Sequence, residues 1–318
     1  MTNVRTSEKL GSAPSNQIPH SAPGIPALLA ALPPQTQIRC VRLRTADVSR
    51  ALAFYTSVLG LEITRRAGAS VSLSATKQEP PLLVLTEDRT AAPRPARATG
   101  LYHFALRYPS RRALAQALLR LVRNRCPIHG ASDHVVSEAL YLSDPEGNGV
   151  ELYADRPRSQ WVWHDGQVEM ATEALDLENL LAAAEGEPEA STPLRQTDIG
   201  HIHLHVADLA LAERFYHNFL GLAVTQRSYP GALFFSTGGY HHHIAANTWA
   251  GKSAAPENSV GLISYRLEVP TIETLGGLRE RAMRAGYETK AEPEPGQALL
   301  QIRDPNRNWL EIGAPCQG

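Results

Sequence analysis

The chain has 318 residues, of which 43% are hydrophobic and 20% charged, a composition typical of a folded protein with room for two ordinary domains. Its formal net charge of −1 argues against nucleic acid or an anionic membrane as the main partner. No apolar run reaches membrane-spanning length, no secretory signal is evident, and the three cysteines show no paired spacing, so we expect a cytoplasmic protein.

The first predicted elements are an N-terminal arm and a module made of a strand, a helix and further strands. Residues 1–36 are rich in Pro, Ser, Ala and Gly, which predicts a flexible arm. Module one then has a strand over 38–44 and a helix over 49–59 that ends at Gly60. Its later strands are predicted over 71–74 and 82–85.

This order of elements is predicted three more times. Module two has a strand over 101–107, a helix over 111–123, and strands over 138–142 and 149–153. Module three has a strand over 200–206, a helix over 210–220, and strands over 233–236 and 241–245. Module four has a strand over 262–269, a helix over 272–285, and strands over 299–303 and 309–312. A further helix is predicted over 172–184, so the chain divides into an arm (1–36), a first repeat (37–153), a linker (154–197) and a second repeat (198–318).

The two repeats carry the same short motifs about 160 residues apart, which indicates an internal duplication. In the first repeat these motifs include Asp47, Phe54-Tyr55, Leu59-Gly60-Leu61, Asp144-Pro145, Asn148 and Glu151. In the second repeat they recur as Asp208, Phe215-Tyr216, Leu220-Gly221-Leu222, Asp304-Pro305, Asn308 and Glu311. The histidines, by contrast, are kept unevenly, and this unevenness indicates a single active site.

These modules, together with the strings SDHVVSEALYLSDPEGNG (132–149) and GGYHHHIAANTW (238–249), resemble the vicinal-oxygen-chelate superfamily. Within it, residues 38–315 are similar to the extradiol ring-cleaving dioxygenases of the catechol 2,3-dioxygenase type. The resemblance implies an α+β fold in which four βαβββ modules form two cup-shaped half-barrels. It also implies an enzyme that inserts O2 into catechol-type aromatic diols at a non-haem Fe(II) site, with Mn(II) as the alternative metal.

In this fold two modules pair into each cup, and every module offers one inward position on its first strand and one on its last. The internal offset predicts the first-strand positions as Cys40, His103, His201 and Ser264, and the last-strand positions as Pro81, Glu151, His242 and Glu311. Pairing modules two and three brings His103, Glu151, His201 and His242 together, which is the arrangement we favour. The alternative keeps the reaction in a cup of modules three and four, with His201, His242 and Glu311.

The resemblance also implies roles for individual residues. His103, His201 and Glu151 match the metal ligands, because two imidazoles and one carboxylate on one face of the ion leave three positions for the diol and O2. Three residues match catalytic positions of the family: His242 as the acid–base histidine, His134 as a proton donor, and Tyr141 as a hydrogen-bond partner of the bound hydroxyl.

Other histidines have a structural interpretation. His203 and His205 share the face of His201 on an alternating strand, and we interpret them as structural. In His241-His242-His243 a strand would point either the middle residue or the outer two into the cup, and we favour His242. We interpret Glu311 as structural too, because Ser264 cannot complete a strong metal site.

Two other functions are compatible with the same modules. One is a different metal-dependent enzyme of the superfamily, such as a glyoxalase-type isomerase or a lyase. The other is a non-catalytic protein that binds an aromatic or antibiotic ligand in the cup. The expected partners are a small aromatic diol and O2, with no nucleic acid and no membrane. Homo-oligomer formation is left open, since exposed strand edges often pair.

Overall fold

The computed structural model describes residues 31–184, 194–290 and 297–315. Most of the predicted arm, up to residue 30, therefore lies outside the described residues. Its last part, residues 31–36, is described, and there Leu32 is buried while its amide donates to the carbonyl of Gly221 at 3.0 Å. The end of the arm thus packs on module three.

Modules one and two follow the predicted order of elements. Module one contains β1 (Gln37–Thr45), α1 (Val48–Leu52), β2 (Glu62–Ala67), β3 (Ser70–Ser74) and β4 (Leu83–Glu87). Module two contains β5 (Gly100–Tyr108), α2 (Arg111–Arg123), β6 (Gly130–Asp133), β7 (Ser137–Ser143) and β8 (Gly149–Asp155). Each helix starts at a side-chain cap, because Asp47 accepts from the amide of Arg50 and Ser110 from that of Ala113.

The linker is less helical than its sequence predicts. It contains a 3₁₀ turn (Arg158–Gln160), β9 (Trp163–His164), β10 (Gln167–Val168), β11 (Glu173–Ala174) and α3 (Leu177–Ala182). The helix predicted over 172–184 is wrong at its start, because β11 pairs with β6 and the Asp176 side chain caps α3 by accepting from the amide of Asn179.

Modules three and four repeat the pattern. Module three contains β12 (Asp198–His205), α4 (Leu209–Glu213), β13 (Ala223–Gln226), β14 (Ala232–Ser236) and β15 (Ile244–Asn247). Module four contains β16 (Gly261–Glu268), α5 (Ile272–Ala285), β17 (Thr289–Lys290), β18 (Gln297–Arg303) and β19 (Trp309–Pro315). In the described part of the chain no helix is long and apolar enough to cross a membrane.

The helices predicted over 49–59 and 210–220 each begin as an α-helix and continue as a π-helix. α1 continues as a π-helical segment over Ala53–Val58, and α4 continues as one over Arg214–Phe219. In both segments the adjacent Phe and Tyr side chains are buried. The duplication therefore extends to an irregular feature of the backbone that the hydrophobic pattern does not reveal.

Two mixed sheets carry the four modules, which confirms the predicted α+β fold. One sheet has nine strands in the order β11-β6-β7-β8-β5-β12-β15-β14-β13, so it joins modules two and three. The other has eight strands in the order β17-β18-β19-β16-β1-β4-β3-β2, so it joins modules four and one. The junctions are the antiparallel pairs β5–β12 and β1–β16. Modules two and three thus share a cup, which is the arrangement favoured by the sequence.

The most evenly duplicated residues anchor the two sheets to each other. The buried carboxylate of Asp144 accepts from the Tyr55 hydroxyl at 2.7 Å and from the Asn148 side-chain amide at 2.9 Å. In the second repeat, Asp304 accepts from Tyr216 at 2.7 Å and from Asn308 at 2.9 Å. In each pair the tyrosine belongs to a module of one sheet and the aspartate belongs to a module of the other sheet. The hydrogen bond therefore links the two sheets, and these motifs have a structural role.

Removing one of these bonds should destabilise the fold. Tyr216→Phe leaves the buried carboxylate of Asp304 one donor short, so we expect it to lower the free energy of unfolding by about 1.5–3 kcal/mol. Chemical denaturation measures this quantity. Tyr287→Phe is the matched control, because no hydrogen bond of that hydroxyl is found among the described residues and the ring packs on Phe215 and Phe219. Equal stability of the two variants would contradict a structural role for the tyrosine–aspartate pair.

Candidate metal centre and the cavity around it

The cup formed by modules two and three encloses a cavity of about 310 Å³. Strands β5, β7, β8 and β12 form its floor, and the loops before β15 and after β10 form parts of its wall. Its polar lining includes His103, His134, Tyr141, Glu151, His201, His203 and His242. Its apolar and aromatic lining includes Tyr102, Met170, Ala171, Tyr229, Phe234 and Trp249. All six site residues predicted from the sequence therefore face one cavity.

Three of these side chains converge at the floor. The Nε2 atoms of His103 and His201 each lie 3.0 Å from Oε2 of Glu151. The three potential ligand atoms all lie within 4.8 Å of one another, and all three residues are buried. The convergence follows from the pairing of β5 with β8 on one side and with β12 on the other.

A glycine allows the first two ligands to approach. Gly149 is the β8 residue opposite His103. A Cβ atom at position 149 would lie 2.2 Å from the carbonyl oxygen of Tyr102 and 2.9 Å from Cβ of His103. Any larger residue would push β8, and Glu151 with it, away from β5. The Gly149 in the predicted turn therefore has a steric role next to the site.

The charges at the floor suit a cation. Burial opposes ionisation of Glu151, but the neighbouring His201 and His103 outweigh it and hold the pKa of Glu151 well below its usual value. Burial also lowers the pKa of His201 to about 4, so this ring is neutral at pH 7 and offers a lone pair. Among the described residues no Lys or Arg pairs with Glu151, and a buried carboxylate without a cation is unfavourable.

A buried nitrogen atom at the floor supports the same conclusion. His103 Nε2 has no hydrogen-bond partner within the described ranges, because its 3.0 Å approach to Glu151 lacks the angle of a hydrogen bond. This atom, His201 Nε2 and a carboxylate oxygen of Glu151 lie close together and form a donor set that fits a divalent transition-metal ion.

The three consecutive histidines lie in a loop, so the strand predicted over 241–245 is wrong at its start. Gly238 and Gly239 both have φ of +65° and turn the chain before the histidines, and β15 begins only at Ile244. His242 lines the cavity, and its ring centroid lies 4.2 Å from that of His201. His243 instead bonds through Nδ1 to the Ser236 hydroxyl at 2.8 Å. Burial lowers the pKa of His242 well below its usual value.

His134 and Tyr141 form a hydrogen-bonded pair on the opposite wall. His134 Nδ1 lies 2.7 Å from the carbonyl oxygen of Ala171, so this nitrogen donates. A neutral His134 then accepts at Nε2 from the Tyr141 hydroxyl, at 2.6 Å. Burial and the charge of Glu151 raise the pKa of Tyr141 well above its usual value, so its hydroxyl stays protonated.

His203 lies in the cavity, although its sequence position suggested a purely structural role. Its ring centroid is 5.0 Å from that of His103, and its Nε2 accepts from the Asn247 amide at 2.9 Å. His205 bonds to the other end of the same amide, at 2.6 Å from Oδ1. The sequence does contain a signal for His203, since strand alternation puts it on the same face as His201. It contains no comparable signal for the aromatic residues Tyr102, Tyr229 and Trp249 of the lining, because they come from separate loops and strands.

The other cup contains an ionic cluster at the corresponding place. Glu311 is 2% exposed and accepts from Ser264 at 2.6 Å, while Arg42 and Arg266 lie 3.0 Å from its oxygens. Two guanidinium groups thus occupy the space that a metal would need. Glu311 lies in the eight-stranded sheet and His201 in the nine-stranded sheet, so the alternative site with His201, His242 and Glu311 is wrong.

Strand register also corrects two inward positions expected from the internal offset. Glu151 pairs with Ala105, two residues beyond His103, and Glu311 pairs with Arg266, two residues beyond Ser264. In modules one and three the residues two positions beyond Cys40 and His201 are Arg42 and His203. Arg42 pairs with Val84 of β4, and His203 pairs with Ala245 of β15. Pro81 and His242 therefore precede the strands on which they were expected, and His242 reaches the cavity from a loop.

Comparisons with known proteins show which proteins this chain is similar to. A family model described as "Glyoxalase/Bleomycin resistance protein/Dioxygenase superfamily" matches residues 37–152 and 198–312. A "Catechol-2,3-dioxygenase" of Bacillus subtilis (strain 168) is 43% identical over 276 residues, which cover 85% of this chain and 94% of that protein. A "Metapyrocatechase" of Geobacillus stearothermophilus is 27% identical over 195 residues, 60% of this chain and 53% of that protein. The crystal structure of a putative dioxygenase from Bacillus subtilis superposes with a TM-score of 0.65 at 12% identity, covering 89% of this chain and 86% of that one, and shows the fold alone.

Proposed function

Because this chain belongs to the Glyoxalase/Bleomycin resistance protein/Dioxygenase superfamily, we propose that it is an extradiol ring-cleaving dioxygenase acting on catechol-type aromatic diols and O2. The observation that carries the proposal is the buried His103–Glu151–His201 cluster at the floor of the cavity. The identity of 43% to a catechol-2,3-dioxygenase over most of both chains supports the same reaction.

We propose that His103 Nε2, His201 Nε2 and a carboxylate oxygen of Glu151 hold Fe(II), with Mn(II) as the alternative. When bound, the ion supplies the acidity that lowers the pKa of a catechol hydroxyl and the electronic link between the diol and O2. One carboxylate and two neutral imidazoles leave the bound cation with a net charge of +1, which favours an anionic diol. The described cavity residues contribute no further negative charge.

His242 and the Tyr141–His134 pair act on the substrate from opposite walls. His242, neutral because burial lowers its pKa, takes a proton from the second catechol hydroxyl. Tyr141 holds a substrate oxygen, and His134 fixes the direction of the Tyr141 hydroxyl through their 2.6 Å bond. A positioned proton acceptor of this kind contributes about 10²–10⁴-fold to a rate. His134 can pass a proton toward the ring through Tyr141.

The lining of the cavity favours uncharged catechols. Among the described residues that line it there is no Lys and no Arg, so a carboxylate substituent would lose its hydration without gaining a cationic partner. The mouth carries Tyr102 and Trp249, which are 38% and 45% exposed, together with Tyr229. An apolar substituent can pack against these rings. We therefore propose catechol and its apolar ring-substituted derivatives as the substrate class.

The test is an oxygen-uptake assay with protein purified anaerobically and loaded with Fe(II). Catechol and 4-methylcatechol should each give a yellow ring-fission product with one O2 consumed per diol. For 3,4-dihydroxybenzoate we expect kcat/KM to be lower by about tenfold or more, which corresponds to roughly 1.4 kcal/mol of lost stabilisation. Absence of O2 uptake with every diol would contradict the proposal. Turnover without O2 would instead indicate an isomerase or lyase.

A further inference from the structure

A chain of hydrogen bonds behind His242 leads away from the cavity to a carboxylate. His242 Nδ1 lies 2.7 Å from His241 Nδ1, and His241 Nε2 lies 3.0 Å from Oδ1 of Asp155. His241 is 1% exposed. Asp155 lies on β8, four residues beyond Glu151 and on the same face of that strand. Strand β8 thus carries both the candidate metal ligand Glu151 and Asp155, the carboxylate at which this row of hydrogen bonds ends.

The surroundings of Asp155 determine where the hydrogen atoms lie. Oδ2 of Asp155 faces the guanidinium of Arg107 at 3.5 Å, and the Tyr240 hydroxyl donates to the carboxylate at 3.1 Å. Burial opposes its ionisation, but His241 and Arg107 keep the pKa of Asp155 below its usual value. An ionised carboxylate only accepts hydrogen bonds, so His241 Nε2 carries a hydrogen and donates.

The hydrogen on His241 Nε2 determines the tautomer of His242. When the His241 ring carries a single hydrogen, on Nε2, its Nδ1 has only a lone pair, and the 2.7 Å contact then places a hydrogen on His242 Nδ1. A neutral His242 then carries its lone pair on Nε2. Because Nδ1 is occupied by His241, Nε2 is the nitrogen available to the cavity that His242 lines.

We propose that Asp155 and His241 are positioning residues that hold His242 as the Nδ1–H tautomer, with the Nε2 lone pair directed at the substrate. The use of that lone pair on a catechol proton rests on the proposed function, whereas the tautomer itself does not. The same logic, in which a buried carboxylate fixes the tautomer of a histidine base, operates in serine proteases, where replacing the aspartate by asparagine lowers kcat about 10⁴-fold. Here an additional imidazole stands between the two groups.

Asp155→Asn tests the proposal because Arg107 predetermines the orientation of the new amide. The amide oxygen must face the guanidinium, which leaves the NH2 group at the position of Oδ1, next to His241 Nε2. His241 then has to accept at Nε2 and carry its hydrogen on Nδ1. His242 in turn accepts at Nδ1 and presents an N–H to the cavity. We expect kcat to fall by about tenfold to a thousandfold, with KM and metal content unchanged.

A spectroscopic measurement separates tautomer from turnover. Full-length protein with ¹⁵N-labelled histidine is loaded with diamagnetic Zn(II), and the His242 signals are assigned by comparison with His242→Asn. The wild type should show a protonated Nδ1 and an unprotonated Nε2, and Asp155→Asn should show the reverse. The same His242 tautomer in both proteins, or an unchanged kcat in Asp155→Asn, would overturn the proposal. Because the spectrum needs no turnover, it decides the tautomer even where the dioxygenase reaction fails.

Three further variants provide controls. Asp198→Asn removes the same charge from the other carboxylate of Arg107, which accepts from it at 2.6 Å, but does not touch His241, so kcat should stay within about twofold. His241→Asn keeps an acceptor near the position of Nδ1, whereas His241→Leu does not. We expect kcat of the Asn variant to exceed that of the Leu variant by about tenfold. Equal values would overturn the positioning role even where Asp155→Asn fails to fold.

Discussion

His103→Ala is expected to lose bound iron and ring-cleaving activity together. The variant removes one of three converging donor atoms, and the remaining pair of His201 and Glu151 cannot hold one face of an octahedral ion. Because the metal contributes several kcal/mol to such reactions, kcat/KM should fall by about a thousandfold or more. Metal analysis of protein loaded with Fe(II) and then desalted measures the binding, and O2 uptake measures the activity.

The duplication supplies a matched control for this variant. Cys40 is the residue expected at the corresponding first-strand position of the other cup, and it is buried as His103 is. Cys40→Ala should keep iron and activity, because that cup holds an arginine–glutamate cluster. If His103→Ala kept one iron per chain, the three converging residues would not be the ligands.

The second large effect concerns the two duplicated glutamates, which should respond in opposite ways to the same substitution. Glu311→Gln leaves the guanidinium groups of Arg42 and Arg266 without the carboxylate that both contact. Breaking a buried ion pair from one side costs about 3–5 kcal/mol. We expect that loss in the free energy of unfolding of the metal-free protein, with the capacity to bind iron preserved.

Glu151→Gln should show the reverse. It removes a buried carboxylate that lies among imidazoles and pairs with no Lys or Arg of the described residues, so the metal-free protein should lose less stability than Glu311→Gln does. Iron binding, however, should be lost. Chemical denaturation of metal-free protein and metal analysis after loading distinguish the two outcomes. If Glu311→Gln lost iron and Glu151→Gln kept it, the metal would be bound in the cup of Glu311 and not in the cup of Glu151.

The sequence predicts elements well where the controlling interactions are local. The helices over Arg111–Arg123 and Ile272–Ala285 match their predicted bounds, because Ser110 and Thr271 cap them and apolar residues recur at helical spacing. The sequence predicts a strand through the three histidines, because their residues carry no such local marker. In the structure the chain turns at Gly238-Gly239, and β15 begins only at Ile244.

The choice between cups depends on pairing between distant strands, which no local pattern determines. The chemistry of the residues favours modules two and three, because that pairing places both imidazoles and the acid in one cup. The ionic cluster of the other cup was not foreseen, since Arg42 and Arg266 stand two residues beyond the positions that the internal offset indicated. Register, and therefore the partner of Glu311, becomes visible only when the strands are paired.

We expect a single metal ion to be held between the two repeats, in the cup of modules two and three. Anomalous scattering at the iron edge from a crystal loaded with Fe(II) locates the ion. It should give one strong peak per chain, within bonding distance of His103, His201 and Glu151. A peak beside Glu311, or one bonded to neither His103 nor His201, would show that the ion is bound by other residues.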